Sequence, residues 1–314
     1  MAADFPLEDL DRWLKEPDVL VWLDLGSPEP TGLETLAAEL GLDPIAVEDA
    51  LGPRERPKAT LHPGHTFLTC YSTRLADGDG AQLELGRISA FVLANALITV
   101  RPDERVDPAE LLERWNSDGL LGHGVAALVH GMLDHLVDGH FETIEAMDDA
   151  LDGLEDLLFD PAIQTRAIQQ RVFRIRKALV QLRRVVLPMR EVVTAVMRYR
   201  AEKDRPLAAE LDGSFNDLYD HVIRAAEWTE SLRDLVSSVF ETNLSLQDAR
   251  LNEVMKKLAA WAAIIAVPTA VTGWFGQNLP YPGYMAGYGL LQSVVVIVLG
   301  TVGLYVLFRR VDWI

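Results

Sequence analysis

A single cysteine, Cys70, stands in 314 residues, so no disulfide can form within the chain. A reducing compartment is the expected setting, and Cys70 reads as an ordinary strand residue. Basic residues are scarce, 29 Lys and Arg against 47 Asp and Glu, and the net charge of −18 excludes nucleic acid as the main partner. No phosphate-cradling glycine loop, no His-Glu-x-x-His helix and no nucleophile motif around Ser or Cys is present, so neither an enzyme nor an organic cofactor is expected. The seven histidines, His62 with His65 and His130 with His135 and His140 among them, lack zinc-site spacing and read as surface or core residues. The opening Met1-Ala2-Ala3-Asp4 carries neither a basic nor an apolar stretch, and no signal peptide is expected.

Charge is missing most conspicuously from two places. Leu258 to Phe275 holds none over 18 residues, and Tyr288 to Phe308 none over 21. As helices they would reach about 27 and 31 Å, the thickness of a bilayer core. Lys256-Lys257 precedes the first run and Arg309-Arg310 follows the second. The pattern predicts a transmembrane hairpin in the plasma (inner) membrane, with both termini cytoplasmic and the short loop from Gln277 to Gly287 outside. An acidic domain beside a membrane pore would raise the local cation concentration, although acidity also serves solubility alone.

The region before the hairpin divides by pattern. Val19 to Leu25, Thr66 to Arg74, Ile88 to Ala94 and Ala96 to Arg101 are rich in β-formers, and Asn95 suggests a tight hairpin between the last two. Gly32 to Leu40 and Pro44 to Leu51 read as short helices. From about Asp107 onward, helical periodicity takes over. Phe141 to Asp160 contains eight acids and no Lys or Arg, whereas Arg166 to Arg184 contains seven cations and no acid. Helices of opposite sign are expected to dock on each other or on neighbours. From Leu207 to Phe275 the only proline is Pro268, so a single helix is expected to run from a stalk into the membrane. Such a stalk needs partners, and the chain is expected to oligomerise. The organisation is therefore a cytoplasmic α/β domain with a charged helical hairpin (residues 1–203), a stalk helix (204–257) and a first membrane helix (258–275). A loop (276–287), a second membrane helix (288–308) and a basic tail (309–314) complete it.

Followed at heptad spacing, the stalk's entry into the membrane presents Asn252, Met255, Ala259, Ala262, Ala266, Thr269, Gly273 and Gly276. After Met255 every member is small or hydroxyl-bearing. Small stripes commonly pack helices closely. Around a symmetry axis the same stripe would offer neutral dipoles and a narrow bore to a hydrated cation, with Met255 and Leu258 as an apolar constriction. Gly276-Gln277-Asn278 follows directly, and Pro280, Pro282 and Gly283 stop the helix from continuing. A carboxamide at Asn278 supplies a neutral acceptor.

In this order the motifs resemble those of the CorA-type divalent metal transporters, a family marked by a Gly-Met-Asn loop between two C-terminal membrane helices. The matching residues are Asn252-Glu253-Val254-Met255-Lys256, Pro268-Thr269, Gly273, and Phe308-Arg309-Arg310 with Trp313. In the soluble part they are Asp217-Leu218-Tyr219-Asp220-His221 and Glu48-Asp49 with Arg56-Pro57-Lys58. The resemblance implies a homopentamer whose first membrane helix lines the pore. It implies that Gly276, Gln277 and Asn278 recognise the ion outside, that Asn252 forms an inner ring, and that Met255 and Leu258 form the gate. It also implies a regulatory magnesium ion at Asp217, partnered by Asp77 or Asp79 of a neighbour. Gln277 replaces the family's methionine, and Leu279 to Gly289 lacks the acids of many magnesium importers. The expectation is a channel for hydrated divalent cations, magnesium first and cobalt and nickel beside it. The alternatives are a zinc transporter of the ZntB-like branch, coupled to protons, and a non-conducting scaffold anchored in the lipid bilayer.

Overall fold

A run of β-formers that stays apolar at consecutive positions can be buried only if both faces of its sheet are covered. The computed structural model, which describes residues 10–16, 18–53, 55–76, 82–103, 105–158, 165–203, 211–277 and 280–314, meets that requirement. By contacts it divides into two units, one through Val239 and one from Phe240.

The first unit is built on five strands: β1 (Val21–Gly26), β2 (Lys58–Leu61), β3 (Thr66–Leu75), β4 (Leu83–Val92) and β5 (Ala96–Arg101). Their order is β1-β5-β4-β3-β2, with β1 parallel to β5 and the other neighbours antiparallel. Alternate residues serve opposite layers. Phe67, Phe91, Ile98 and Val100 meet Leu33, Ala37, Ala46 and Val47 of α2 (Pro30–Leu40) and α3 (Pro44–Leu51). Leu68, Cys70, Ile88, Ala90 and Leu97 face a second cluster with Leu111, Met132, Leu136, Val192 and Phe215. Cys70 is fully buried in β3, and burial pushes its thiol up to about 12, so it supplies no thiolate.

Local chemistry sets the ends. Asp43 caps α3, its carboxylate accepting from the backbone N–H of Ile45 and Ala46. Gly41 ends α2 at φ 65°, where a β-carbon would be strained. The β4–β5 turn is held by Asn95, whose amide donates to the carbonyls of Leu14, Glu16 and Val19. The largest departures from the pattern are β4, which begins at Leu83 rather than Ile88, and β2, a strand that the pattern does not predict.

A short first helix, α1 (Leu10–Leu14), precedes the sheet, and α4 (Pro108–Asp118), α5 (Val125–Leu158), α6 (Thr165–Val186) and α7 (Met189–Lys203) follow it. Helices α5 and α6 do pack together. Each keeps a buried apolar stripe, Ile144, Met147, Leu151 and Leu154 on α5 and Ile168, Val172, Ile175 and Leu182 on α6. Among the described residues no ion pair joins them, so the opposite charges are not what docks one on the other.

The last two helices are α8 (Asp212–Phe275, 64 residues) and α9 (Gly287–Arg310, 24 residues). Both contain windows long and apolar enough to cross a membrane. Pro268 lies inside α8 without ending it. From Leu258 onward the least exposed residues of α8 are Ala260, Ala263, Ile264, Val267, Pro268, Val271 and Phe275, and those of α9 include Ile297, Gly300, Leu304 and Phe308. These are the facing stripes of a hairpin. At its centre a β-carbon on Gly300 would stand 2.9 Å from Val267 Cγ1, so the missing side chain is what lets α9 approach.

Candidate functional site

Residues of a helix recur on one face every three to four positions. The hairpin seam takes Ala260, Ile264, Val267 and Val271. Asn252, Met255, Ala259, Ala262, Ala266, Thr269 and Gly273 fall on roughly the opposite side at about 100° per residue, and all of them are exposed. Leu258 borders this stripe. Met255 and Leu258 are 66% and 70% exposed, as are their apolar neighbours Val254 and Ile265 at 63% and 65%. The hairpin thus satisfies its own packing with one face and leaves the rest of α8 exposed, the small and polar stripe together with Trp261, Ile265 and Trp274.

Two hydroxyls on α8 are already oriented. Thr269 donates to the Ile265 carbonyl at 3.3 Å, and Thr272 donates to Pro268 at 2.8 Å and Thr269 at 3.2 Å. A hydroxyl whose hydrogen is committed to the backbone presents lone pairs outward, which suits the hydrogens of an ion's hydration water. Thr272, next to the stripe, was not singled out by heptad spacing. Its signal was its place four residues after Pro268.

At the end of α8 the chain leaves the helix through Gly276. Its N–H donates to the Thr272 carbonyl at 2.9 Å, and the Gln277 N–H reaches Trp274 at 3.3 Å. The Gln277 side chain is exposed. Asn278 lies outside the described residues. Beyond it, Tyr281 stacks edge-on against Phe275 at 5.1 Å and against Tyr284 at 5.5 Å, and its hydroxyl donates to the Phe275 carbonyl. An aromatic cluster therefore ties the far side of the loop to the helix end. At the other end of the apolar stretch Glu253 bonds Lys257 at 2.8 Å, which holds its carboxyl below the usual range.

The soluble motifs separate into two kinds. Lys58 bonds Asp49 at 2.6 Å and Glu55 at 2.9 Å, so the early Glu-Asp and Arg-Pro-Lys segments form a structural ion-pair network tying α3 to β2. Asp217, by contrast, is 71% exposed on α8, with His221 at 3.9 Å. Asp77 and Asp79 lie outside the described residues. The structure also brings together Asp134, Asp138 and His221. Arg114 bonds both of those carboxylates. Their i, i+4 spacing is the sequence signal that would have shown Asp134 and Asp138 on one face. His65, His130 and His140 are core residues, and His135 pairs with Glu110.

The family model described as CorA-like Mg2+ transporter protein matches residues 17–310. The chain is 27% identical over 322 residues to the cobalt/magnesium transport protein CorA of Thermotoga maritima, covering 99% of this chain and 89% of that one. To the zinc transport protein ZntB of Pectobacterium atrosepticum it is 25% identical over 304 residues, covering 93% and 88%. Among solved structures, the complete CorA magnesium transporter from Methanocaldococcus jannaschii matches with a TM-score of 0.77 at 22% identity, over 94% of this chain and 92% of that one. At that identity the likeness speaks for the fold: α/β domain, long helix and C-terminal apolar helix.

Proposed function

This chain belongs to the CorA-like Mg2+ transporter family, and from that premise we propose that it is a homopentameric channel for hydrated divalent cations in the plasma membrane. Magnesium is the first substrate, with cobalt and nickel beside it. Both termini lie in the cytoplasm. The observation that carries this reading is the placement of the stripe from Asn252 to Gly273 on the face of α8 that its own hairpin leaves exposed. Five such faces around an axis bury one another and surround a bore of small groups, hydroxyls and one carboxamide. A hard cation that keeps its water shell passes such a lining by hydrogen bonding through that water. Gly276, Gln277 and Asn278 select at the outer mouth. Asn252 accepts the ion at the inner end, and Met255 with Leu258 closes the bore when dry.

Regulation rests on Asp217. Its carboxylate is exposed and carries no strong cationic partner among the described residues. A cytosolic divalent ion bridging it to Asp77 of a neighbour relieves their repulsion and holds the ring shut.

The lining has a direct test. Cysteines placed at Ala262 or Ala266 should react with a water-soluble thiol reagent and block metal uptake, whereas cysteines at Ala260 or Val267, in the seam, should not. The native Cys70 is buried and stays silent. Blockage from the seam positions and none from the stripe would reject the assignment.

A second reading is favoured by one residue. Gln277 stands where the family has methionine, and a zinc transporter of the ZntB type is among the relatives. Zinc uptake that requires a proton gradient would select that reading over the first.

A further inference from the structure

Among the described residues the remaining charges on α5 and α6 find no ion-pair partner within the chain. On α5, Glu142, Glu145, Asp149 and Asp152 are exposed along one face, with Asp148 and Glu155 at its margin. On α6, Arg166, Arg174, Lys177 and Arg184 are exposed along one face. In the middle of that basic face sit Phe173, 68% exposed, and Val180, 45% exposed. A shallow groove of about 410 Å³ runs between Arg166, Gln169, Gln170, Phe173 and Arg174. Among the described residues none of these acids or cations makes an ion pair, although Arg183 on the same helix pairs with Glu230. Basic and acidic stripes of similar length therefore stand on one chain, both unpaired.

We propose that the basic face of α6, centred on Phe173, docks on the acidic face of α5 of the next copy around the ring. This inference rests on the ring assembly argued above. In a closed ring each joint is heterologous: one surface of a copy meets a different surface of its neighbour. A chain bearing one acidic and one basic stripe supplies both halves of such a joint at every position, at equal stoichiometry. Arginine and an exposed aromatic are the residue types that anchor interfaces, and complementary charge fixes register and excludes wrong partners. The contact joins α6 of one copy to α5 of the next.

The test uses two full-length variants with different tags. One carries Glu142→Lys, Glu145→Lys and Asp149→Lys, so that both of its stripes are basic. The other carries Arg166→Glu, Arg174→Glu and Lys177→Glu, so that both are acidic. Co-expressed, they should co-purify in mixed assemblies about threefold or more above the share found for two tagged wild-type chains. The excess should vanish in about 0.5 M salt, where the Debye length falls to a few ångströms. Attraction between α5 and α6 of one chain gives no such excess. Mixed assemblies at the random share, in oligomers of unchanged mass, overturn the joint and leave the ring standing. A monomeric wild type in mild detergent overturns both.

Should the reversed chains not fold, Asp149→Cys with Arg174→Cys gives the second measurement. Oxidation should produce a ladder of linked copies on a non-reducing gel, and a monomer band alone overturns the proposal. Loss of binding to phosphatidylglycerol vesicles by the acidic variant, with no ladder and with mixing at the random share, assigns the basic face to lipid and also overturns it.

Discussion

The Thr272 carbonyl accepts the Gly276 N–H at 2.9 Å and would also stand 2.9 Å from a β-carbon placed on Gly276. The obstacle is backbone within the same helix end, so it cannot swing aside as a side chain would. Gly276→Ala should displace the turn that carries Gln277 and Asn278 while leaving the membrane helices and the assembly intact. Metal uptake should fall about tenfold, the equivalent of ~1.4 kcal/mol lost at ion recognition. Unchanged uptake would mean that the loop tolerates the shift and does not set the ion's position.

Lys58 does a different job. Its ammonium lies between Asp49 and Glu55, and although burial pushes its pKa down, hydrogen bonds to the two carboxylates win and hold it above the ordinary value. Lys58→Met leaves two half-buried carboxylates facing each other and should cost roughly 1–2 kcal/mol of stability. Thermal unfolding of the purified protein should show the loss, and uptake per folded molecule should be unchanged. A fall in uptake with no fall in stability would give these motif residues a role in transport instead.

His140 gives the soluble unit a pH dependence. Its Nε2–H donates to the Tyr71 carbonyl at 2.9 Å, and burial pushes its pKa down to about 4 from 6.5. The unfolded chain therefore takes up a proton before the folded one does. The neutral imidazole's stability is intact above 6.5 and is lost progressively as pH falls from 6.5 toward 4. Replacing His140 by Gln keeps a donor for Tyr71 and removes the titration. The variant's stability should fall less steeply over that window, and identical slopes would show that other groups govern it.

Asp217 is exposed, so its loss should be read in regulation rather than in stability. Magnesium should protect the wild-type stalk from protease and protect Asp217→Ala much less. The variant should also keep conducting at cytosolic metal levels that close the wild type. Equal protection would make Asp217 a solvated stalk residue.

Much of this was legible in the sequence because it rests on period and charge. The uncharged runs marked the hairpin, and the β-formers marked the strands that carry Phe67, Leu68, Leu97 and Ile98, whose burial on both sides the structure adds. What escaped was what depends on a neighbour. Strand β2 is four residues with partly exposed side chains, too short to show alternation, and it exists by pairing with β3. The stripe on α8 carries two readings, packing or bore, and no sequence pattern shows that the hairpin's own seam runs through Val267 and Gly300 instead. The charges of α5 and α6 suggested docking on each other or on neighbours, and within the chain apolar stripes join the two helices because burying them gains more than exposed ion pairs do. His221 meets Asp134 and Asp138 across more than eighty residues of sequence, a proximity that no local pattern carries.

The central claim is that divalent cations pass through a bore entered at Asn278. Its most direct test is metal uptake by liposomes holding the purified protein, with magnesium, cobalt, nickel and zinc presented in turn, with and without a pH gradient. Wild type should take up magnesium, cobalt and nickel without need of the gradient, and Asn278→Ala should take up none of them while assembling normally. Robust uptake by Asn278→Ala, or no uptake of any metal by the wild type, would contradict the account.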